Sequence, residues 1–475
     1  MSIVDEPSDV VLRDGVYGDR VAAVEPGGAE FIPLAERHGK PRQLFWTWCS
    51  PNLEFATIFV GVLAVSAFSL GFWAAVAGVV VGTALGSLTH GLLSARGPRA
   101  GVPMMVLSRL GFGFVGNALP AGLNAIVGGI GWFAVNSVSG ALALSTLTGM
   151  PAWLGLLIVA LVQIVVALLG HNLIHGFEKV VLPVLAVVFA ITSIVILVQT
   201  DPSFVPTDGQ PAGSVAGFLL TVGATFGYAV GWNPYATDYT RYLPPDASPK
   251  AVGWAAGLGV FVPCVILETV GAASATLATD PNASPTAAFT EHLPGVLAAL
   301  TLLCIAVGAV AANAINIYSG AMSFVALGIR LPLTLRRALA VGVFGVLGFI
   351  VALTGLADAG QAYEGFLLII AYWIAPWLAV VFVDWYLRRG EDERATEALL
   401  FDTSHRNIAG PVAMLAGIVV SILLFSNQTA FTGFVAQAVP QIGDIGFEVG
   451  FVVSAVIYWL MRRSAATRPT PTATR

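Results

Sequence analysis

The chain has 475 residues, of which 57% are hydrophobic and 10% charged, where a soluble globular protein carries about 25% charged residues. With a mean hydropathy of +0.83, that composition excludes an ordinary soluble globule and indicates an integral membrane protein. A net charge of −5 with no basic face excludes nucleic acid as a partner.

Residues 1–43 carry mixed charges and no apolar core followed by a cleavage site, so they are expected to form a cytoplasmic N-terminal segment and not a signal peptide. Residues 44–461 are expected to form one transporter domain of about twelve transmembrane helices, because apolar runs of roughly 20 residues recur with short polar connections. The runs are Leu44 to Leu70, Phe72 to Ala95, Ala118 to Leu147, Trp153 to Gly170, Val180 to Val198, Val215 to Tyr235, Ala251 to Leu277, Gly295 to Leu327, Leu335 to Leu353, Gly365 to Leu387, Ile408 to Phe425 and Ile445 to Met461. The stretch 97–117 is too polar and glycine-rich to cross and reads as an inner-face connection. Residues 391–406 read as a charged surface loop or short helix, and 462–475 as a disordered cytoplasmic tail. With the N-terminus inside, all 22 Lys and Arg fall on the inner side and the outer loops keep only acids such as Asp201, Glu291 and Asp358. The positive-inside rule therefore puts both termini in the cytoplasm of a cell or inner membrane protein.

The first run contains Cys49-Ser50-Pro51-Asn52 and the sixth Gly231-Trp232-Asn233-Pro234, in each case proline beside polar residues at mid-membrane depth. Five spans separate them, so they cross in opposite senses. Paired broken helices so related point to an inverted-repeat transporter with its site at the breaks. Near them lie Trp132 and Asn136 on the third span, spaced i, i+4, and Asn313 and Asn316 on the eighth, spaced i, i+3. With Asn52, Gly231 and Trp232 they make up the candidate substrate site. Flat aromatic faces and amides that both donate and accept suit a planar, neutral heteroaromatic solute, whereas a carboxylate or phosphate would call for Arg or Lys within the membrane.

Gly231 to Pro244, GWNPYATDYTRYLP, closely resembles the sixth-span signature of the nucleobase–cation symporter family 1, in its purine–cytosine permease branch. The third-span GWFAVN (Gly131 to Asn136), the eighth-span AANAINIYSG (Ala311 to Gly320) and HGFEKVVLP (His175 to Pro183) add to the likeness. The resemblance implies a leucine-transporter-like fold, five plus five inverted spans with two more at the end and spans 1 and 6 broken. It further implies cation-coupled uptake of cytosine or a purine. Trp132 and Trp232 would be the stacking aromatics, Asn136 and Asn313 the amides that read the base edge. Thr237, Ala312 and Ile315 depart from the branch pattern, which leaves allantoin, uracil or hydroxymethylpyrimidine as alternative cargo.

Glu54, two residues beyond Asn52, and Glu268, within the seventh span, are isolated carboxyls at membrane depth, costly when charged and therefore candidates to carry a coupling proton. Glu178, at the start of the fifth span, is a third candidate, with pairing to Lys179 as its alternative. In sodium-coupled relatives of this fold the ion is held by carbonyls at the first break and hydroxyls on the eighth span. The corresponding residues 307–312 here hold no hydroxyl, which favours the proton over sodium, the alternative being a sodium site completed by Ser50 or Ser319. No cofactor, metal or obligate protein partner is expected beside the bilayer and the small-molecule substrate. Cys49, Cys264 and Cys304 sit in apolar runs as free thiols. The six histidines are scattered, and no GxxxxGK[ST] loop occurs, which argues against a membrane enzyme or direct nucleotide energisation.

Overall fold

The computed structural model describes residues 30–169, 171–206, 214–280, 283–327, 333–389 and 393–466. The expected N-terminal segment is thus described only from residue 30, and the expected tail, apart from its first residues, lies outside the described residues.

The first span is two helices, α1 (Gln43–Cys49) and α2 (Phe55–Ser66), separated by a 3₁₀ turn at Ser50–Asn52 and bent by 61°. Pro51 has no N–H to continue the helix, and Glu54 is extended (φ −144°, ψ 168°). The second span is α3 (Phe72–Ser94). The third comprises α4 (Ala118–Ile126), a π-helical turn over Val127–Trp132 and α5 (Phe133–Thr148). Then come α6 (Ala152–Leu169) and α7 (His171–Gln199). The sixth span consists of α8 (Val215–Val230), a 3₁₀ turn at Asn233–Tyr235 and α9 (Ala236–Thr240). It is interrupted without the sharp bend of the first. The chain continues through α10 (Pro249–Ala275), α11 (Gly295–Ala326), α12 (Leu333–Gly355), α13 (Ala359–Leu387), α14 (Ala409–Val420) and α15 (Gly446–Ala466). Among the described residues, seven helices are long and apolar enough to cross a membrane, eight with the bent first span, and three shorter apolar helices and α15 complete the twelve spans.

Several helices outrun their apolar stretches because polar caps start them early. Asp358 accepts from Gln361 N–H at 2.9 Å, so α13 begins at Ala359 and not at Gly365, and Ser248 with Pro249 opens α10 two residues sooner than expected.

Two groups of four spans organise the fold. The first, second, sixth and seventh spans pack together, as do the third, fourth, eighth and ninth. Each group joins a pair of spans to the pair five positions later, which is the arrangement an inverted repeat produces. The crossing of α2 with α10 is close enough to require glycine on both sides. A Cβ on Gly61 would lie 1.7 Å from Glu268 O, and one on Gly271 would lie 1.8 Å from Ile58 O. Helices α13, α14 and α15 form a third cluster, and α13 also packs on α8.

Residues 97–117 do not cross. They fold into three one-turn helices (Gly97–Ala100, Met104–Leu107, Arg109–Phe112) that are buried, not loose. Arg109 donates to the carbonyls of Leu400 and Ala326, both at 2.9 Å, and Met104 N–H to Asp238 at 3.0 Å. Arg37 donates to Pro98 O, Arg96 stacks over Trp385 and Arg388 reaches Leu110 O, so these cations gather at one end of the bundle.

Candidate functional site

The two breaks meet at the centre of the molecule. Asn52, fully buried in the first, accepts from the Trp232 indole N–H at 2.9 Å and from the Cys264 thiol at 3.3 Å, and its Nδ2 donates to Trp48 O at 2.7 Å. What Asn52 offers a ligand is therefore chiefly the fixed position of the Trp232 ring, which also packs edge-on against Trp48 and Tyr235. His90 of α3 lies edge-on to Trp48, ring centroids 4.3 Å apart.

Trp132 faces the sixth break from the opposite side. Its Cζ2 would lie 3.3 Å from a Cβ on Gly231, so glycine there lets the indole reach the interrupted backbone. Tyr228 and Phe366 stand edge-on to Trp132 at 5.5 and 5.1 Å, with Tyr363 at 6.5 Å. The π-helical turn holds an extra residue in the third span just before Trp132, and such turns recur at functional sites. Below that ring, three asparagines join the third and eighth spans. Asn136 Nδ2 donates to Asn313 Oδ1 at 3.0 Å, Asn316 Nδ2 to the same oxygen at 3.4 Å, and Asn313 Nδ2 to Phe133 O at 3.0 Å. Asn136 Oδ1 and Asn316 Oδ1 are buried and accept nothing within the protein. Two buried, unsatisfied acceptors are a costly arrangement that a ligand with N–H donors on its edge would relieve. Outward along α5, a cavity of about 90 Å³ lies between Phe55, Phe59, Val138, Tyr363 and Phe366.

Three carboxyl candidates are placed very differently. Glu54 sits at the first break with Oε1 3.1 Å from the Tyr228 hydroxyl, which is 2.6 Å from the Thr57 hydroxyl, which in turn donates to Asn52 O at 2.7 Å. Glu268 accepts from Thr83 at 2.7 Å on one oxygen, while the other is buried without a partner. Glu178 lies in α7, and its side chain is outside the described residues. On the eighth span Gly308 lies against the first break, where an added Cβ would be 3.5 Å from Leu53 O and 3.9 Å from Glu54 Cα. Residues 307–312 thus present no hydroxyl to the break. Among the described residues no group of three His, Cys, Asp or Glu could hold a metal, and the three cysteines are free and buried.

Sequence reasoning did not single out Tyr228, Tyr363, Phe366 or Thr57. Each owes its place to contacts between distant spans, and only the glycine cluster at 128, 129 and 131 hints that the third helix is irregular. Asp384 near the end of α13 and Arg388 just beyond it, i, i+4, form an ion pair at 2.8 Å.

Comparison with known proteins extends this picture. A family model described as a permease for cytosine/purines, uracil, thiamine and allantoin matches residues 31–450. The putative purine-cytosine permease YxlA of Bacillus subtilis is 28% identical over 456 residues, covering 93% of this chain and 96% of its own. The purine-cytosine permease fcyB of Emericella nidulans is 29% identical, covering 97% and 95%. Among solved structures, Mhp1, a nucleobase-cation-symport-1 family transporter, superposes in its inward-facing form with a TM-score of 0.73 at 19% identity over 94% of this chain and 95% of Mhp1. A closed form of Mhp1 with bromovinylhydantoin bound gives 0.71 at 20% identity, over 94% and 97%. The leucine-transporter-like fold that the family resemblance implies is the fold these neighbours share.

Proposed function

We propose that this chain, which belongs to the family of permeases for cytosine/purines, uracil, thiamine and allantoin, is a proton-coupled symporter that imports a nucleobase such as cytosine or a purine by alternating access. The observation that carries this reading is the pair of unsatisfied acceptors, Asn136 Oδ1 and Asn316 Oδ1, joined through Asn313, with Asn136 one helical turn beyond Trp132, whose ring reaches the sixth-span break. A free base stacks on an indole and presents ring N–H or exocyclic amino donors on its edge, so one ligand fills both requirements. Asn313 orients the two amides, Gly231 admits the base to the break, and Asn52 fixes Trp232 as the second aromatic face.

Glu54 and Glu268 are the proposed proton-handling groups, with Glu178 a third candidate. Both described carboxyls are buried, and Gly308 opposite the first break supplies no hydroxyl for sodium, a hard cation that needs several oxygens. The cationic end described above is taken as cytoplasmic, which puts both termini inside a cell or inner membrane.

The deciding experiment is uptake into proteoliposomes under an imposed pH gradient without sodium, with cytosine, adenine, hypoxanthine, uracil, allantoin and the corresponding nucleosides as competitors. Accumulation of a free base, with nucleosides competing poorly because ribose does not fit a closed pocket, is the expected result. Accumulation driven by sodium alone would overturn the proton assignment, and transport of none of these heterocycles would overturn the substrate class.

A further inference from the structure

The chain of contacts from Asn52 O through Thr57 and Tyr228 to Glu54 can be counted for protons. Asn52 O is a carbonyl and only accepts. Thr57 and Tyr228 each carry one hydroxyl proton. The 2.7 and 2.6 Å contacts each need a proton between their oxygens, and at the third, 3.1 Å long, the Tyr228 hydroxyl is the one group among the described residues that could donate to Glu54 Oε1. Thr57 directs its proton to Asn52 O, so the proton between Thr57 and Tyr228 is that of Tyr228. Nothing remains for the third contact except a proton on Glu54 itself. A carboxylate at this position would leave the chain one proton short.

We infer that Glu54 is a carboxylic acid in this conformation, and that Tyr228 and Thr57 are the positioning residues through which its proton governs substrate binding. The inference rests on the proton-coupled reading above and makes it specific. Taking up a proton from the outer solution forms an O–H bond on Glu54, which donates to Tyr228. The Tyr228 hydroxyl then turns its own proton to Thr57, and the first span is tied to the sixth across their breaks. Releasing the proton to the inner solution breaks that O–H bond and restores the carboxylate. Tyr228 then turns back to Glu54, and the 2.6 Å contact with Thr57 has no proton to hold it. The tie between α2 and α8 loosens. The Tyr228 ring stands edge-on to Trp132, so a change in the tie reaches the aromatic face proposed to stack the base. Other ionisable groups near Glu54 are Cys264 and Glu268 from the seventh span and Tyr363 from the tenth. None is a cation, so among the described residues no fixed positive charge replaces the proton.

The test uses the full-length protein in lipid nanodiscs, with cytosine and adenine as probes from pH 5.5 to 8.5. Wild-type affinity should fall as pH rises, approaching tenfold per unit once Glu54 titrates, because binding and protonation are linked. In Glu54→Gln the amide donates to Tyr228 as the acid does, so affinity should stay at the acid level across the range. Tyr228→Phe and Thr57→Val cut the chain and should flatten the slope. A readout independent of ligand is the wild-type-minus-Glu54→Gln infrared difference spectrum, in which the carbonyl band of the protonated Glu54 carboxyl is expected near neutral pH and contributions common to both proteins, such as that of Glu268, cancel. A wild type that binds bases with no pH slope and lacks this band would overturn the inference and leave the permease reading standing. Binding of neither base, with the band present, would overturn the cargo assignment and not the proton count. Should Glu54→Gln fail to insert, Thr57→Val decides, and an intact slope in that variant overturns the inference.

Discussion

Among the buried carboxyls bonded to a tyrosine in this molecule, two are built for opposite purposes, Asp384 and Glu54. Asp384 of α13 accepts from the Tyr458 hydroxyl at 2.6 Å and from Arg388 Nε at 2.8 Å, and Asn407 donates to Tyr458 at 2.9 Å. Every contact in that chain has its donor, and the arginine neutralises the carboxylate. The chain is complete with the carboxyl ionised. Glu54 has the same tyrosine link but ends on a hydroxyl and a carbonyl, with no cation, and is complete only when the carboxyl holds a proton. A buried acid with a fixed counter-charge is a rivet. One whose counter-charge must arrive from solution is a sensor.

The sharpest way to break that contrast is to remove the rivet. Asp384→Ala takes the paired carboxylate away from Arg388, whose side chain is itself largely buried, and should lower stability by about 3–5 kcal/mol, seen as a large drop in the thermal unfolding midpoint in detergent. Glu54→Gln strands no charge and should unfold close to wild type. If the two variants melt alike, the distinction fails. Next in size is the link from the sensor to the site. Trp132→Ala should weaken base binding by about 1–3 kcal/mol, the worth of one base–aromatic stack, measured by equilibrium binding of cytosine and adenine, whereas changes to the Asp384–Tyr458 link should leave affinity unchanged. A smaller effect is expected of Tyr458→Phe, which removes two hydrogen bonds from the rivet, the one to Asp384 and the one from Asn407. It should cost about 1–2 kcal/mol of stability and leave the pH slope of binding intact, in contrast to Tyr228→Phe.

The smallest effect concerns a third acid, Asp444, just before α15. It contacts the Tyr372 hydroxyl and accepts from the N–H groups of Asn427 (2.8 Å) and Gly446 (2.9 Å). Burial raises its pKa above the usual carboxylate value against the opposing pull of these bonds. A carboxyl whose folded pKa is raised contributes stability that is present below the unfolded value and lost as pH rises through the folded one. Unfolding midpoints should therefore be slightly higher just below that range than at neutral pH, and Asp444→Asn should remove the difference.

How much of this could be read from the chain alone depends on whether a feature is local. Pro51 and Pro234, each beside polar residues, mark the breaks because a missing N–H acts within one turn, and apolar runs mark the spans because the bilayer sets their length. Asn313 and Asn316 announce themselves by being amides at helical spacing in an apolar run. By contrast, the Thr57–Tyr228 contact joins residues 171 apart in sequence, and no pattern in either span points to the other. Asn52 was legible as a polar residue in a break, but not the commitment of its oxygen to Trp232 and Cys264, which depends on where the sixth and seventh spans lie. The buried packing of residues 97–113 was equally hidden, since glycine-rich polar sequence looks alike whether it lies on a surface or is wedged among helices.

The surplus residue in the π-helical turn at Val127–Trp132 bears on how such a chain changes over generations. A turn closed by i→i+5 bonds takes up one residue more than an α-helical turn, so deleting one glycine here would restore regular winding and leave Trp132 and Asn136 on the faces they now occupy. A single-codon deletion at this place thus removes the irregular turn without re-aiming the aromatic face or the amide. A chain one residue shorter here keeps both side chains in place, and a comparison that scores the gap as a loss of the site would misread it.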